Sequence, residues 1–222
     1  MRTWIVAIVL ILILGPVSCT FSAQDIEYQR GEKAEQKKNY AEAVEHYRNV
    51  VDKYVKTDTA LKAAEKAARI SLYELHKYDD ALVLYKHTVL YGKNEIERIQ
   101  AQQKIAEICF SQTMNYTQAV IEFNRLLELP HTPLEGFNYQ LSIARSYFYI
   151  SNFFQAQIEI DSLLKKNYDK SLLFDALLLK ANIFLTTKQI DEAIEVLKQL
   201  ISCSVLVGWR AVASSIGRHI AD

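Results

Sequence analysis

Three thiols and five imidazoles are the side chains of this sequence best suited to nucleophilic, redox or metal chemistry, and their spacing assembles none of these. Cys19 closes an apolar N-terminal run, whereas Cys109 and Cys203 stand far apart in the chain. His46, His76, His87, His131 and His219 include no i, i+4 pair and no cysteine at metal-ligand spacing, so each is expected on a helix surface or in a loop. No phosphate loop, HExxH, GxSxG or CxxC occurs, and the glycines at 15, 31, 92, 136, 208 and 217 are scattered. Asn115-Tyr116-Thr117 has the form of a glycosylation sequon, but Asn115 already has a role as a helix cap and Tyr116 as a packing residue. The chain therefore does not read as an enzyme. No catalytic residue, metal site, cofactor or small-molecule substrate is expected.

Composition narrows the remaining classes. Of 222 residues, 50% are apolar and 23% charged, enough apolar surface to fold and too much for disorder. Lys plus Arg equals Asp plus Glu at 26 each, so no net positive charge exists to hold nucleic acid, and none is expected as a partner. Six glycines and three prolines leave little for tight turns and point to helix.

Arg2 followed by the apolar run 4–14, then Gly15, Pro16 and the small residues Ser18 and Cys19, has the layout of a secretory signal. Eleven apolar residues fall short of the roughly 18 that a membrane-spanning helix needs. Ser18-Cys19 resembles the lipobox of bacterial lipoproteins, in which the cysteine is acylated on sulfur and becomes the first mature residue. Pro16 stands where that motif expects leucine. The resemblance implies a signal over 1–19, a lipid on Cys19 and a short tether over 20–24; an ordinary secreted chain cut near Cys19 or Ala23, or an uncleaved anchor, are the alternatives. Cys109 and Cys203 fall on different repeats, too far apart for a bridge, and are expected as small buried hydrophobes.

The elements that would position any site are set by an internal repeat. The segments NYAEAVEHY, KYDDALVLY, NYTQAVIEF, NFFQAQIEI and QIDEAIEVL place Ala43, Ala81, Ala119, Ala156 and Ala193 at steps of 38, 38, 37 and 37 residues. Tyr40, Tyr78, Tyr116, Phe153 and Ile190 precede them, and Tyr47, Tyr85, Phe123, Ile160 and Leu197 follow, on the same face of a helix. A preceding helix carries a small and a large residue three or four apart: Gly31 and Ala34, Ala68 and Leu72, Ala106 and Phe110, Ala144 and Tyr147, Ala181 and Phe184. Thr132-Pro133-Leu134-Glu135 is a capping box with proline at the first helical position, and Asp58 with Thr59, Asn115, Asn152 and Asp191 are expected at other helix starts. The mixed charges of Glu32 to Lys38 are expected on a solvated face. After Cys203, Trp209, Val212, Ile216 and Ile220 form one helical stripe.

This pattern of paired helices with small residues at fixed places resembles the tetratricopeptide repeat over residues 25–203, although the unit is 37 to 38 residues rather than 34. The longer unit resembles that of exported bacterial repeat lipoproteins such as the barrel-assembly lipoprotein of the outer membrane. The resemblance implies an all-α, right-handed α-solenoid of five helix pairs, with repeats at about 24–57, 58–93, 94–131, 132–168 and 169–203. Residues 204–222 would be a capping helix or the start of a sixth repeat.

It also implies a concave wall made by the first helix of each pair. Carried over, the wall is Asp25, Tyr28, Glu32 and Glu35; Ala63, Lys66, Ile70 and Tyr73; Ala101, Lys104, Ile108 and Ser111; Asn138, Leu141, Arg145 and Phe148; Asp175, Leu178, Asn182 and Leu185. Among these, Tyr28, Lys66, Tyr73, Lys104, Asn138, Leu141, Arg145, Phe148, Leu178, Asn182 and Leu185 are the expected partner-binding residues. Leu172 to Leu179 is apolar on more than one face, which implies either a binding patch or packing against the C-terminal segment. The expected function is a protein-binding scaffold of the bacterial cell envelope, facing the periplasm from an outer-membrane lipid anchor and taking part in outer-membrane assembly. A pilotin-like or secretion-system lipoprotein, or a regulatory subunit of an envelope enzyme, are the alternatives.

Overall fold

The computed structural model describes residues 22–166, 168 and 172–201. The leader with Cys19, and the C-terminal segment with Cys203 and Trp209, lie outside the described residues. The chain divides into two compact units between Lys77 and Tyr78. The first holds α1 (Ala23–Gln36), α2 (Tyr40–Lys53) and α3 (Asp58–Tyr73). The second holds α4 (Tyr78–Tyr91), α5 (Glu95–Glu107), α6 (Tyr116–Glu128), α7 (Pro133–Tyr149), α8 (Phe153–Leu164), α9 (Leu173–Thr186) and α10 (190–201). No strand occurs among the described residues. Within each unit consecutive helices pack on one another across short connections, and first helices of successive repeats also touch, α1 with α3 and α7 with α9.

Small residues set how closely the helices approach. Ala43, Ala81, Ala119, Ala156 and Ala193 are all completely buried, as are Ala68, Ala106, Ala144 and Ala181 on the first helices. Gly31 takes that place in the first repeat because a Cβ there would lie 2.7 Å from the ring of Tyr47, which is itself fully buried. The other anchors expected in the core, Tyr40, Tyr78, Tyr85, Tyr116 and Tyr147, are buried or half-buried. In the second unit Phe137, Leu141, Ala144, Ala156, Ile160, Leu163, Ala176, Leu179 and Ile183 form one cluster joining α7, α8 and α9.

Six helix starts are capped by short polar side chains, each worth about 0.5 to 2 kcal/mol, whereas Asn39 before α2 and Leu172 before α9 make no such bond. Thr132 and Glu135 make the expected reciprocal box, and Ser22 with Asp25 makes a second. Asn94, Asn115 and Asn152 each accept from a backbone N–H of the first turn. The third helix departs from expectation by one residue: Thr57 caps it, and Asp58 is the first helical residue, favourably placed against the positive helix end.

The turn between the two helices of each repeat is left-handed at one residue, and none of the five is glycine. Lys38, His76, Met114, Ser151 and Lys188 have φ between 51° and 61° and keep the repeat step. At Lys38, Ser151 and Lys188 the helix closes with paired bonds, for example Lys38 N–H to Glu35 O and Asn39 N–H to Ala34 O, both 2.9 Å. In the second and third repeats the end is wider: Leu75 N–H donates to Ile70 O and Thr113 N–H to Ile108 O, five residues back, both at 3.0 Å. At Ile108–Gln112 this becomes a π-turn, the usual way to absorb one extra residue in a helix.

Candidate functional site

In the first unit, the wall positions of α1 and α3 are joined by a charged network. Lys66 Nζ lies 3.2 Å from both Glu32 Oε1 and Glu35 Oε2, and Arg69 Nη2 lies 2.8 Å from Glu35 Oε1. Tyr47 donates its hydroxyl to Glu35 Oε2 at 2.7 Å, and the Lys66 ammonium sits 5.8 Å from the Tyr28 ring centroid and 5.7 Å from that of Tyr47. Burial alone would raise the Glu35 carboxyl, but the Tyr47 hydroxyl, Lys66 and Arg69 outweigh it and hold the group below the usual carboxylate range. Burial, reinforced by Glu35, pushes the Tyr47 phenol up. Glu32 and Glu35, expected on a solvated face, thus tie the two first helices together. Lys66 and Tyr28 belong to that seam, while Tyr73 is exposed at the end of α3. His46 is similarly engaged, its Nδ1 2.9 Å from Glu27 Oε1.

In the second unit, α7 and α9 carry a partly open wall of polar and apolar side chains. Asn138 and Asn182 are exposed, and Arg145 Nη2 lies 2.9 Å from Asp175 Oδ2 across the two helices. Leu178 and Leu185 are exposed on α9 beside them. Leu141 is different: it is buried in the core cluster, because α9 closes over this part of α7. Phe148 is half-buried, packed against the same cluster and 5.5 Å from the Phe153 ring. Lys104 is half-buried on α5, with Glu107 Oε2 at 2.8 Å.

Four further wall positions are corrected. Ala63, Ile70, Ala101 and Ile108 are buried. The extra residue of repeats two and three sits at the C-terminal end of the first helix, so the face before it keeps the register of Ala68 and Ala106. Counted from those alanines, the wall residues are Lys62, Glu65 and Arg69 on α3 and Gln100, Gln103 and Glu107 on α5, of which all but half-buried Gln103 are exposed. Gln103 donates to the Tyr139 hydroxyl at 2.6 Å, linking α5 to α7.

The most buried carboxylate lies off this wall. Glu122 on α6 accepts from Gln102 Nε2 and Gln118 Nε2, both at 2.6 Å, and from Arg125 Nη1 at 2.7 Å. Burial favours its neutral form, but these three donors prevail and hold its pKa below the usual range. With its donors satisfied, it serves as a structural clasp between α5 and α6. Cys109 is buried as expected, and burial pushes its thiol up, away from reactivity. Among the described residues no three His, Cys, Asp or Glu side chains come together as a metal site, and no helix is long and apolar enough to cross a membrane.

No protein-family model matches the chain, and no curated protein sequence matches it. Solved structures do. MamA superposes with a TM-score of 0.56 at 14% identity, over 81% of this chain and 91% of that one. A putative kinesin light chain from Podosopora anserina with nearly identical TPR-like repeats gives 0.55 at 16% identity, over 82% and 94%. YrrB, a TPR protein with an unusual peptide-binding site, gives 0.53 at 11% identity, over 80% and 84%. The chain therefore has the tetratricopeptide-repeat fold, in helix pairs of 37 to 38 residues.

Proposed function

We propose that this protein is a non-enzymatic scaffold that binds a protein or extended peptide of the bacterial cell envelope along the α7–α9 wall. The observation that carries the reading is the set Asn138, Arg145, Asp175, Asn182 and Leu185: polar and apolar side chains, open to solvent or half-open, on two adjacent first helices whose other faces are core. The Arg145–Asp175 pair lies at the surface, where such pairs contribute about 0 to 1 kcal/mol to stability. Its exchangeable charges are available to a partner at little cost to the fold. The peptide-binding site described for YrrB supports a ligand of this kind on a chain of the same fold.

The test is capture of partners from envelope extract by wild type and by an Arg145→Ala, Asn182→Ala variant, alongside melting curves. Loss of capture at unchanged melting temperature is expected; equal capture would remove this wall from the reading. Placement at the outer membrane, and a part in outer-membrane assembly, belong to the same proposal and rest on the Ser18-Cys19 motif and the length of the repeat. Cys19→Ala should abolish lipid labelling and release the protein from membranes. A wild type that takes up no lipid label, together with a Cys19→Ala variant that stays membrane-bound, would exclude the lipid anchor.

A further inference from the structure

Two stretches of the second unit carry no charge. Residues 108–121 and 146–158 contain no Asp, Glu, Lys, Arg or His, although 23% of the chain is charged. Each spans the turn between the two helices of a repeat, and ring contacts bring the two turns together. Tyr149 at the end of α7 stacks on Tyr116 at the start of α6, their centroids 4.7 Å apart, and lies 6.1 Å from the Phe110 ring and 6.0 Å from that of Phe148. Much of this edge is open: Tyr149 is 53% exposed, Met114 64% and Ile150 41%. The fold does not require such residues there. The fifth repeat has Thr186 and Thr187 in the places of Tyr149 and Ile150, and the first has Gln36 and Lys37. Aromatic residues and methionine together with a depletion of charge are the composition of the centre of a protein interface.

The hydrogen-bonding groups on this edge narrow the partner. Asn115 and Asn152 spend their side-chain oxygens on their own helices, accepting from the backbone N–H of Gln118 at 3.1 Å and of Gln155 at 3.2 Å. Both side chains are exposed, and their Nδ2 groups are left as donors to solvent, whereas Nδ2 of the equivalent Asn39 is spent on Glu42 Oε2 at 2.8 Å. The hydroxyls of Tyr116 and Tyr149 are further donors. The edge thus presents donors and ring faces, with no carboxylate in either stretch to accept. A proline-rich segment in extended polyproline II form has the matching chemistry: its prolines have no N–H to satisfy, its carbonyls point outward as acceptors, and its pyrrolidine rings pack on aromatic faces. A charged segment would lose its hydration here and find no counter-charge. We propose that the edge built from the turns of the third and fourth repeats binds a proline-rich, uncharged stretch of another protein. Asn138, Arg145, Asp175, Asn182 and Leu185 take no part in it, so this edge and the α7–α9 wall stand or fall separately.

Calorimetric titration of the full chain with acetylated, amidated decaproline should show saturable binding, and a glycine-serine peptide of equal length should show none. Tyr149→Thr combined with Ile150→Thr installs the residues of the fifth repeat, so the melting temperature should stay near that of wild type while the affinity for decaproline falls about tenfold or more. Tyr149→Phe keeps the ring and removes one donor; it should weaken binding about twofold to tenfold, and it decides the matter if the double variant melts far below wild type. Leu90→Ser, at an exposed leucine of α4, should bind as wild type does. Absence of saturable binding, equal binding of the glycine-serine peptide, or full affinity in the Tyr149 variants overturns the proposal. So does a dimer that the double variant dissociates, or flotation with neutral phosphatidylcholine vesicles that it abolishes, since a second copy or a bilayer would then be what covers the edge.

Discussion

Gly31 shows how one atom can be selected by a neighbour. Four repeats carry alanine at this place and the first carries glycine, where the ring of Tyr47 leaves no room for a Cβ. Gly31→Ala should therefore lower stability by about 1 to 2 kcal/mol, overpacking outweighing the gain of about 1 kcal/mol in helix propensity. A rise in melting temperature would refute this. Glu122 is a second case. A carboxyl held below its unfolded pKa stabilises the fold above that unfolded value, about 4.3, and gives up the stabilisation as pH falls through the depressed value. The stability difference between wild type and Glu122→Gln should be largest near neutrality and shrink below about pH 4. Melting curves from pH 7 to pH 3 test it; a difference independent of pH would show that shape, not charge, holds the clasp.

At the scale of the helix pair, the pattern of alanines and aromatics made the pairing and the buried faces legible in the sequence, since each residue needed only its own helix to be interpreted. The register of the first helices was legible too, in a subtler way. From the small residue of the first helix to the aromatic or aliphatic anchor of the second is nine residues in repeats one, four and five, and ten in repeats two and three, Ala68 to Tyr78 and Ala106 to Tyr116. Those two repeats are the ones in which the residue just before the left-handed position bonds five residues back, to Ile70 and Ile108, instead of four. Aligning them by the second helix moves the wall by one residue and selects buried Ile70 and Ile108 over exposed Arg69 and Glu107. The burial of Leu141 was not legible, because it depends on α9 from the next repeat. The left-handed turns were hidden because glycine, their usual marker, is absent from all five. Met114 tests their cost: its side chain is exposed and its φ is 51°. Met114→Val should destabilise by about 1 to 3 kcal/mol, a β-branched residue being strained there, while Met114→Gly should fall within about 1 kcal/mol of wild type. Equal melting temperatures for the valine and glycine variants would place the turn elsewhere.

For the whole molecule, the division between Lys77 and Tyr78 separates the two helices of the second repeat. Sequence periodicity and the unit of packing thus have different boundaries. Anyone cutting the gene into pieces by the repeat pattern would begin the downstream fragment near Asn94 and strand α4 from α5, on which it packs. A fragment beginning at Tyr78 should be soluble and melt cooperatively, whereas one beginning at Asn94 should aggregate or melt several degrees lower, with the face of α5 that meets α4 laid open. Calorimetry of the two fragments distinguishes them, and equal melting would mean that α4 contributes nothing to its unit. The gene's natural seam for trimming, fusion or exchange of parts would then lie inside its second repeat, at the joint between that repeat's first helix and its second.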